Sequence, residues 1–548
     1  MPDKSFDAVI IGGGNKGLFT AMYLAKYGGM DVGIFERRHE LGGGLSSQES
    51  PAPGFIGDTH ASTLFEWYYE PVEEDFPDFV EKGGKMTHYP TTYGIITKED
   101  QKFFGIYHHS VDPTGEKTAR ELARFSERDA ETYLKLFDLV KPGGSFSRAW
   151  SEAFFSVPPT PDQPDAVERW LQDYLKTPDC PIDLAWTMMP ANRAVLELWD
   201  TVELQLMTLK RMKTMGMPTE MTGALSSLFA MGQSCSQSYA VGGTHSIAHA
   251  CQRIFLENGG KFYTKSEVAK VLLEGGEAKG IRLADGTEIG ARKLVVSAID
   301  PHQLCFELVG REHLDRRLVR RLETVMRGLT CITWYTWAVH ELPQYISASW
   351  NPDANNCHWT LLAIKDLEMM LKEGLMRTLG IVPPLEGQLI VFGQHSQYDP
   401  TRAPEGKHVV STEQHVVAAP TFTERQWMDF KLKHAKETIE EWQKYAPNMN
   451  WDNVIGYDPI TPYDTAARLK NMPMGDQATV DTVPGQMGKL RPIPELARYR
   501  TPIKNLYATG TAWNLAHTGT AAQGYACYKA IADDLGLAKP WKDKGRLY

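Results

Sequence analysis

Seven cysteines are spread over 548 residues, at 180, 235, 251, 305, 331, 357 and 527, with no Cys-x-x-Cys pair and no metal-ligand spacing. Their scatter offers no disulfide framework and no thiolate metal centre, so no metal is expected and they read as small apolar fillers in a reducing compartment. A basic excess is missing as well. A formal net charge of −10 leaves nothing to replace the counterions of a polyanion, so no nucleic-acid partner is expected. No apolar run reaches the roughly eighteen residues of a membrane-spanning helix, and there is no repeat or low-complexity tract. The first apolar strand starts about five residues from Met1, which leaves no room for a signal peptide ahead of it. The expected location is the cytoplasm, with peripheral attachment through an amphipathic surface as the membrane contact left open.

With 42% hydrophobic and 23% charged residues the composition is that of a globular protein, and a chain of this length exceeds one ordinary core and predicts two large domains. The stretch Phe6–Glu36 organises the rest. Ala8-Val9-Ile10-Ile11 is short and β-branched enough for a buried parallel strand. Gly12, Gly14 and Gly17 follow in Gly-x-Gly-x-x-Gly spacing, and Leu18, Ala21, Met22 and Ala25 recur at helical period. Gly12 permits a tight turn, Gly14 lets a pyrophosphate approach the backbone, and Gly17 lets the helix lie close to the strand. The helix N-terminus then faces the phosphates. A second strand, Val32–Phe35, ends in Glu36, whose carboxylate suits a ribose diol and repels a 2′-phosphate.

The following run, Glu36-Arg37-Arg38-His39-Glu40-Leu41-Gly42-Gly43-Gly44-Leu45-Ser46-Ser47, resembles the second glycine motif of the FAD-binding family that includes phytoene desaturases, amine oxidases and Rab GDP-dissociation inhibitors. Gly44 stands where that family usually has arginine. Gly54–Ser62 resembles the desaturase Gly-Phe-x-x-Asp-x-Gly-Pro hairpin with His60-Ala61 in place of Gly-Pro, and Asp399–Ser411 resembles the Asp-Pro-x-x-Ala-Pro-x-Gly-x-His segment of the phytoene desaturase branch. That turn reads as structural, since its prolines and glycine fix turn dihedrals. The strands around Val268 and the closing strand, glycine and helix at Ile503–Gly510 and Ala521–Leu535 follow the family's layout. The Arg491-Pro492 pair also has a family counterpart, for which the residues suggest no role.

The resemblance implies an α/β fold, a Rossmann-like FAD/NAD(P)-binding domain made of 1–75, 235–315 and 495–548, interleaved with an α+β substrate-binding domain made of 76–234 and 316–494. It implies FAD as cofactor, held by Gly12, Gly14, Asn15, Gly17, Glu36, Arg37, Gly43, Gly44, Leu45, Ser46, Val268, Gly510, Thr511, Ala521 and Ala522. His517, placed where phytoene desaturases have Pro-Gly-Gly-Gly, and His60 are the catalytic candidates, because both segments run to the flavin and an imidazole titrates near neutrality. The expected reaction is transfer of hydride from a C–H of an apolar substrate (polyprenoid, alicyclic or aromatic-related) to FAD. Alternatives are a flavin-dependent double-bond isomerase or saturase, an amine-oxidase-like oxidase and, in a different class, a non-redox binding protein similar to the GDP-dissociation inhibitors. With no second complete Gly-x-Gly-x-x-Gly unit for NAD, the expected electron acceptor is O2 or a quinone. Met, Leu and Trp in the substrate segments, and no clustered Lys or Arg able to clamp a carboxylate, predict a mostly apolar lining. The oligomeric state stays open.

Overall fold

The computed structural model describes residues 4–177, 180–393, 395–514, 519–546 and 548. β1 (Lys4–Ile11), α1 (Asn15–Lys26) and β2 (Val32–Phe35) form the expected right-handed unit. The parallel strands lie in the order 261–263, β2, β1, 288–297, 506–508, and an antiparallel meander, 268–274 and 277–283, joins the first half of the strand 288–297. Ala8 pairs with Val32 on one side and Leu294 on the other, so the apolar run is buried on both faces as its composition requires.

The second sheet is mainly antiparallel, in the order 454–460, 331–339, 408–416, 389–392, 357–363, 91–97, 103–107, with one parallel pair between 357–363 and 91–97. Near the junction of the two sheets lies the hairpin of β3 (Ser47–Ala52) and β4 (Phe55–Asp58).

Several elements depart from what local periodicity predicts. α1 is buried on nearly every side rather than on one face, because the helices His245–Glu257 and Ala522–Leu535 both pack on it. A Cβ at Gly524 would lie 2.5 Å from the Lys16 carbonyl, so that contact needs glycine. Partial helical periodicity runs through 116–140, yet two helices form there, Glu116–Ala123 and Glu127–Val140, and Ser126 caps the second by accepting the Asp129 backbone N–H at 3.1 Å. The stretch 191–214 is likewise split into two helices, Ala191–Leu198 and Val202–Thr214. The buried Asp129 carboxylate accepts the backbone N–H groups of Asp200 and Thr201 at this break, at 2.8 and 2.9 Å. The next helix spans Ser226–Ser234. Among the described residues no helix is long and apolar enough to cross a membrane.

Candidate active site

Two adjoining cavities lie where the sheets meet. The first runs under the β1–α1 turn and is lined by Gly12, Gly14, Asn15, Glu36, Arg37, Gly43, Gly44, Val268, Gly510 and Thr511. Gly12 sits at φ +90. A Cβ on Gly14 would meet nothing nearer than Gly43 Cα at 3.9 Å, whereas one on Gly17 would lie 2.3 Å from the Gly12 carbonyl oxygen. The three glycines thus make a turn, an open approach and a close helix–strand contact, in that order. Glu36 accepts the Gly13 N–H at 2.8 Å and the Arg38 N–H at 2.8 Å, which fixes its carboxylate at the end of β2 with lone pairs left for a diol.

Gly17, Leu45, Ser46, Ala521 and Ala522 do not line this cavity. Gly17 acts through packing. Leu45, Ala521 and Ala522 are fully buried, and the Asn15 and Lys16 side chains donate to the carbonyl of neighbouring Thr520 at 3.3 and 2.8 Å. Burial holds the Lys16 ammonium well below the usual lysine range. Ser46 Oγ instead accepts from Arg468 Nη2 at 2.6 Å. Arg468 and Arg38 are lining residues that spacing could not reveal. Arg468 lies more than four hundred positions from the glycine motif and brings a guanidinium to the neighbourhood in which Gly44 lacks one.

The second cavity shares Met472 with the first. Phe65, Tyr68, Ile332, Trp334 and Phe392 make its apolar wall, and His60, Arg211, Glu413 and Gln477 are among its polar lining residues. His60 is therefore close to both cavities, but its imidazole is pushed down to about 3 by burial and by the charges of Arg468 and Arg38. It is neutral at pH 7, a hydrogen-bonding group rather than the near-neutral proton carrier that an unperturbed imidazole suggests. His517 lies outside the described residues. The sequence does carry three basic residues close together in a substrate segment, Lys210, Arg211 and Lys213 on the helix Val202–Thr214, and all three are buried. The two lysines can be buried because Glu373 lies 3.2 Å from Lys210 and 3.4 Å from Lys213.

The hairpin segment Gly54–Ser62 and the turn Asp399–Ser411 prove to be one device. Arg402, from the second of them, donates from Nη1 to Asp58 Oδ2 at 2.7 Å, from Nε to Asp399 Oδ2 at 3.2 Å and from Nη2 to the Ala240 carbonyl at 2.7 Å. Asp58, at the end of β4, also accepts the Thr244 N–H at 2.8 Å. Arg491 gains a role too. Its fully buried guanidinium donates to the carbonyls of Ala478 at 2.8 Å, Asp481 at 3.2 Å, Gln486 at 3.0 Å and Thr511 at 3.4 Å, tying the 478–486 loop to the Gly510–Ala512 turn of the first cavity.

Away from the cavities, Glu66, His108 and His109 place possible ligand atoms within 4.8 Å of one another. His108 Nδ1 accepts the Ser110 backbone N–H at 3.2 Å, which leaves its proton on Nε2, 3.4 Å from Glu66. Of the two histidines only His109 is hydrogen-bonded to Glu66, at 2.7 Å, and the His108 Nε2 has no partner among the described residues.

Burial raises the Glu413 carboxyl from 4.5 to about 8, with Glu373 adding to the shift against Lys210 and Arg211. Because the folded value exceeds the unfolded one, the folded protein keeps a proton that the unfolded chain releases. The associated stability is present in full below pH 4.5 and is lost as pH rises to about 8, on the order of 5 kcal/mol at about 1.4 kcal/mol per unit. Glu413→Gln is expected to lose less stability than the parent between about pH 5 and 8 in denaturant titrations. Parallel pH profiles for the two proteins would refute the assignment.

The family model for flavin containing amine oxidoreductases matches residues 17–329. A limonene dehydrogenase chain of Castellaniella defragrans is 24% identical over 98% of this chain and 97% of its own length. The 4,4'-diapophytoene desaturase (4,4'-diapolycopene-forming) of a Methylomonas species is 23% identical over 54% of each chain. Among solved structures, a putrescine oxidase variant with redesigned cofactor binding superposes with a TM-score of 0.59 at 13% identity, covering 97% of this chain and 98% of that one, which is a likeness of fold.

Proposed function

The chain belongs to the flavin containing amine oxidoreductase family and is an FAD-dependent oxidoreductase, and from that premise we propose that it is a dehydrogenase of the desaturase type, acting on a C–H of a largely apolar alicyclic or polyprenoid skeleton. The observation that carries this reading is the second cavity, walled by Phe65, Tyr68, Ile332, Trp334 and Phe392 and adjoining the dinucleotide cavity at Met472. The sequence similarity to the limonene dehydrogenase chain, which runs over nearly the whole length of both, supports it. Such a reaction would turn a CH–CH unit into C=C with loss of two electrons and two hydrogens, for which bound FAD would be the first acceptor and O2 or a quinone the final one.

Bound FAD supplies a hydride acceptor at the flavin. The protein's own residues have three tasks. Gly12, Gly14 and Gly43 admit the pyrophosphate, with Arg37, Arg38 and Arg468 as cations around it and Glu36 for the ribose. The apolar wall orients the carbon skeleton and excludes water. His60, neutral, offers a hydrogen bond from a ring whose Nε2 has no partner among the described residues.

The deciding experiment mixes oxidised holoenzyme anaerobically with cyclic terpenes, polyenes and amines and follows the flavin absorbance. Bleaching by a terpene or polyene skeleton, with or without a polar substituent, is expected. Bleaching by amines alone would sink the desaturase reading and favour an amine oxidase. Arg468→Ala is expected to weaken flavin retention by roughly tenfold or more, the scale of one charge-assisted hydrogen bond, checked by flavin release during dialysis. Retention equal to the parent would remove Arg468 from the site.

A further inference from the structure

Arg211 is a buried cation that touches no carboxylate among the described residues, its acidic neighbour Glu413 acting on it only through space. Lys210 and Lys213, on the same helix, face Glu373, and Lys210 also donates to Gln388 Oε1 at 2.9 Å. Arg211 makes no ion pair within 4.0 Å among the described residues, although only 3% of it is exposed. Its Nε and Nη2 atoms are both buried and both without a hydrogen-bond partner among those residues. Phe65, Tyr93 and Trp359 flank the guanidinium with ring centroids 5.6, 5.3 and 5.8 Å away. Rings can stabilise the charge through its faces, but they leave the in-plane N–H groups unsatisfied.

We propose that the second cavity binds its substrate through a carboxylate seated on Arg211, so that the molecule accepted is an apolar carbon skeleton bearing one carboxylate. Arg211 lines this cavity, and a guanidinium presents a planar fork of N–H donors with the spacing of the two oxygens of a carboxylate, so an anion seated there gives the buried cation charge-assisted hydrogen bonds that the protein does not supply. An anion also neutralises a charge that burial otherwise leaves exposed to a low dielectric. A neutral hydrocarbon or an ester does neither. An ammonium would be repelled. Glu413, in the same cavity, has its carboxyl raised to about 8 by burial, so at neutral pH it carries a proton to donate and does not compete as the counter-ion. The apolar wall accounts for the rest of the ligand.

This inference rests on the dehydrogenase reading only in taking the second cavity for the substrate site, and its test reads binding, not turnover. Calorimetric titration of oxidised holoenzyme compares cyclohexanecarboxylate, cinnamate and octanoate with their methyl esters and with cyclohexylamine. At least one carboxylate is expected to bind tenfold or more tighter than its ester, with the amine weakest. Arg211→Met should erase that preference and Arg211→Lys should keep part of it, since a point charge lacks the fork. Equal affinity for acid and ester in the parent protein, tighter binding of the amine, no binding of any carboxylate at millimolar concentration, or an undiminished preference in Arg211→Met would each overturn the proposal. The acid-to-ester comparison stands on the parent protein alone if a variant fails to fold. Binding without flavin bleaching would leave the carboxylate site intact and count against the dehydrogenase reading.

Discussion

Gly14→Val is expected to give a folded but colourless protein. The backbone there, at φ −63 and ψ 167, is open to any residue, and a Cβ would meet only Gly43 Cα at 3.9 Å, so the unliganded chain tolerates the change. The valine methyl groups then project into the cavity that Gly12, Glu36 and Gly43 line, where the pyrophosphate must lie against bare backbone. A loss of roughly a hundredfold or more in FAD affinity is expected, about 3 kcal/mol. The ratio of flavin to protein absorbance after gel filtration measures it. Thermal melts separate this from misfolding, because the variant should melt with the parent apoprotein and should not respond to added FAD. Gly17→Val is the contrast: its Cβ would lie 2.3 Å from the Gly12 carbonyl, so the fold itself should fail. A yellow Gly14→Val protein would contradict the placement of the cofactor.

Arg402→Ala is expected to cost about 3–5 kcal/mol of stability, the range found when one partner of a buried ion pair is removed. The change leaves Asp58 and Asp399 without the guanidinium they share, both with side chains at most 1% exposed, and unties the Ala240 carbonyl. The β3–β4 hairpin, the Val241–Thr244 turn and the Asp399–Ser411 segment lose their common anchor together. Arg402→Lys keeps the charge but not the fork, and should recover only part of the loss. Urea unfolding followed by tryptophan fluorescence gives the comparison. A change below about 1 kcal/mol, the scale of a surface pair, would show that packing alone holds these segments.

Arg211 and Arg491 illustrate where sequence reasoning stops. Lys210-Arg211-Met212-Lys213 resembles a solvated basic run, and only the arrival of Glu373 beside the lysines, and of Phe65, Tyr93 and Trp359 around Arg211, turns it into a buried cluster. Arg491 offered no role in the sequence because its partners are carbonyl groups, which every residue carries and which no motif can mark. The motif marks His60 as a candidate site residue, yet its neutral state at pH 7 follows from burial and from Arg468 and Arg38. The helix breaks at 124–126 and 199–201 depend on Ser126 and Asp129 finding backbone donors, and helical period alone runs straight through them.

What the sequence determined by itself is the local architecture of cofactor recognition: an apolar strand, three glycines at set spacing, an amphipathic helix and an acid at the end of the next strand. These constraints act within about thirty residues, through φ angles, missing Cβ atoms and periodicity, and such short-range terms are written in adjacent letters. Tertiary structure alone decided which charges are buried, which of them find partners and which are left open to a ligand. Arg468 reaches Ser46 across more than four hundred residues and Arg402 reaches Asp58 across more than three hundred. The energy of a charge depends on what surrounds it in space, and in this chain those surroundings are assembled from segments that no spacing rule connects.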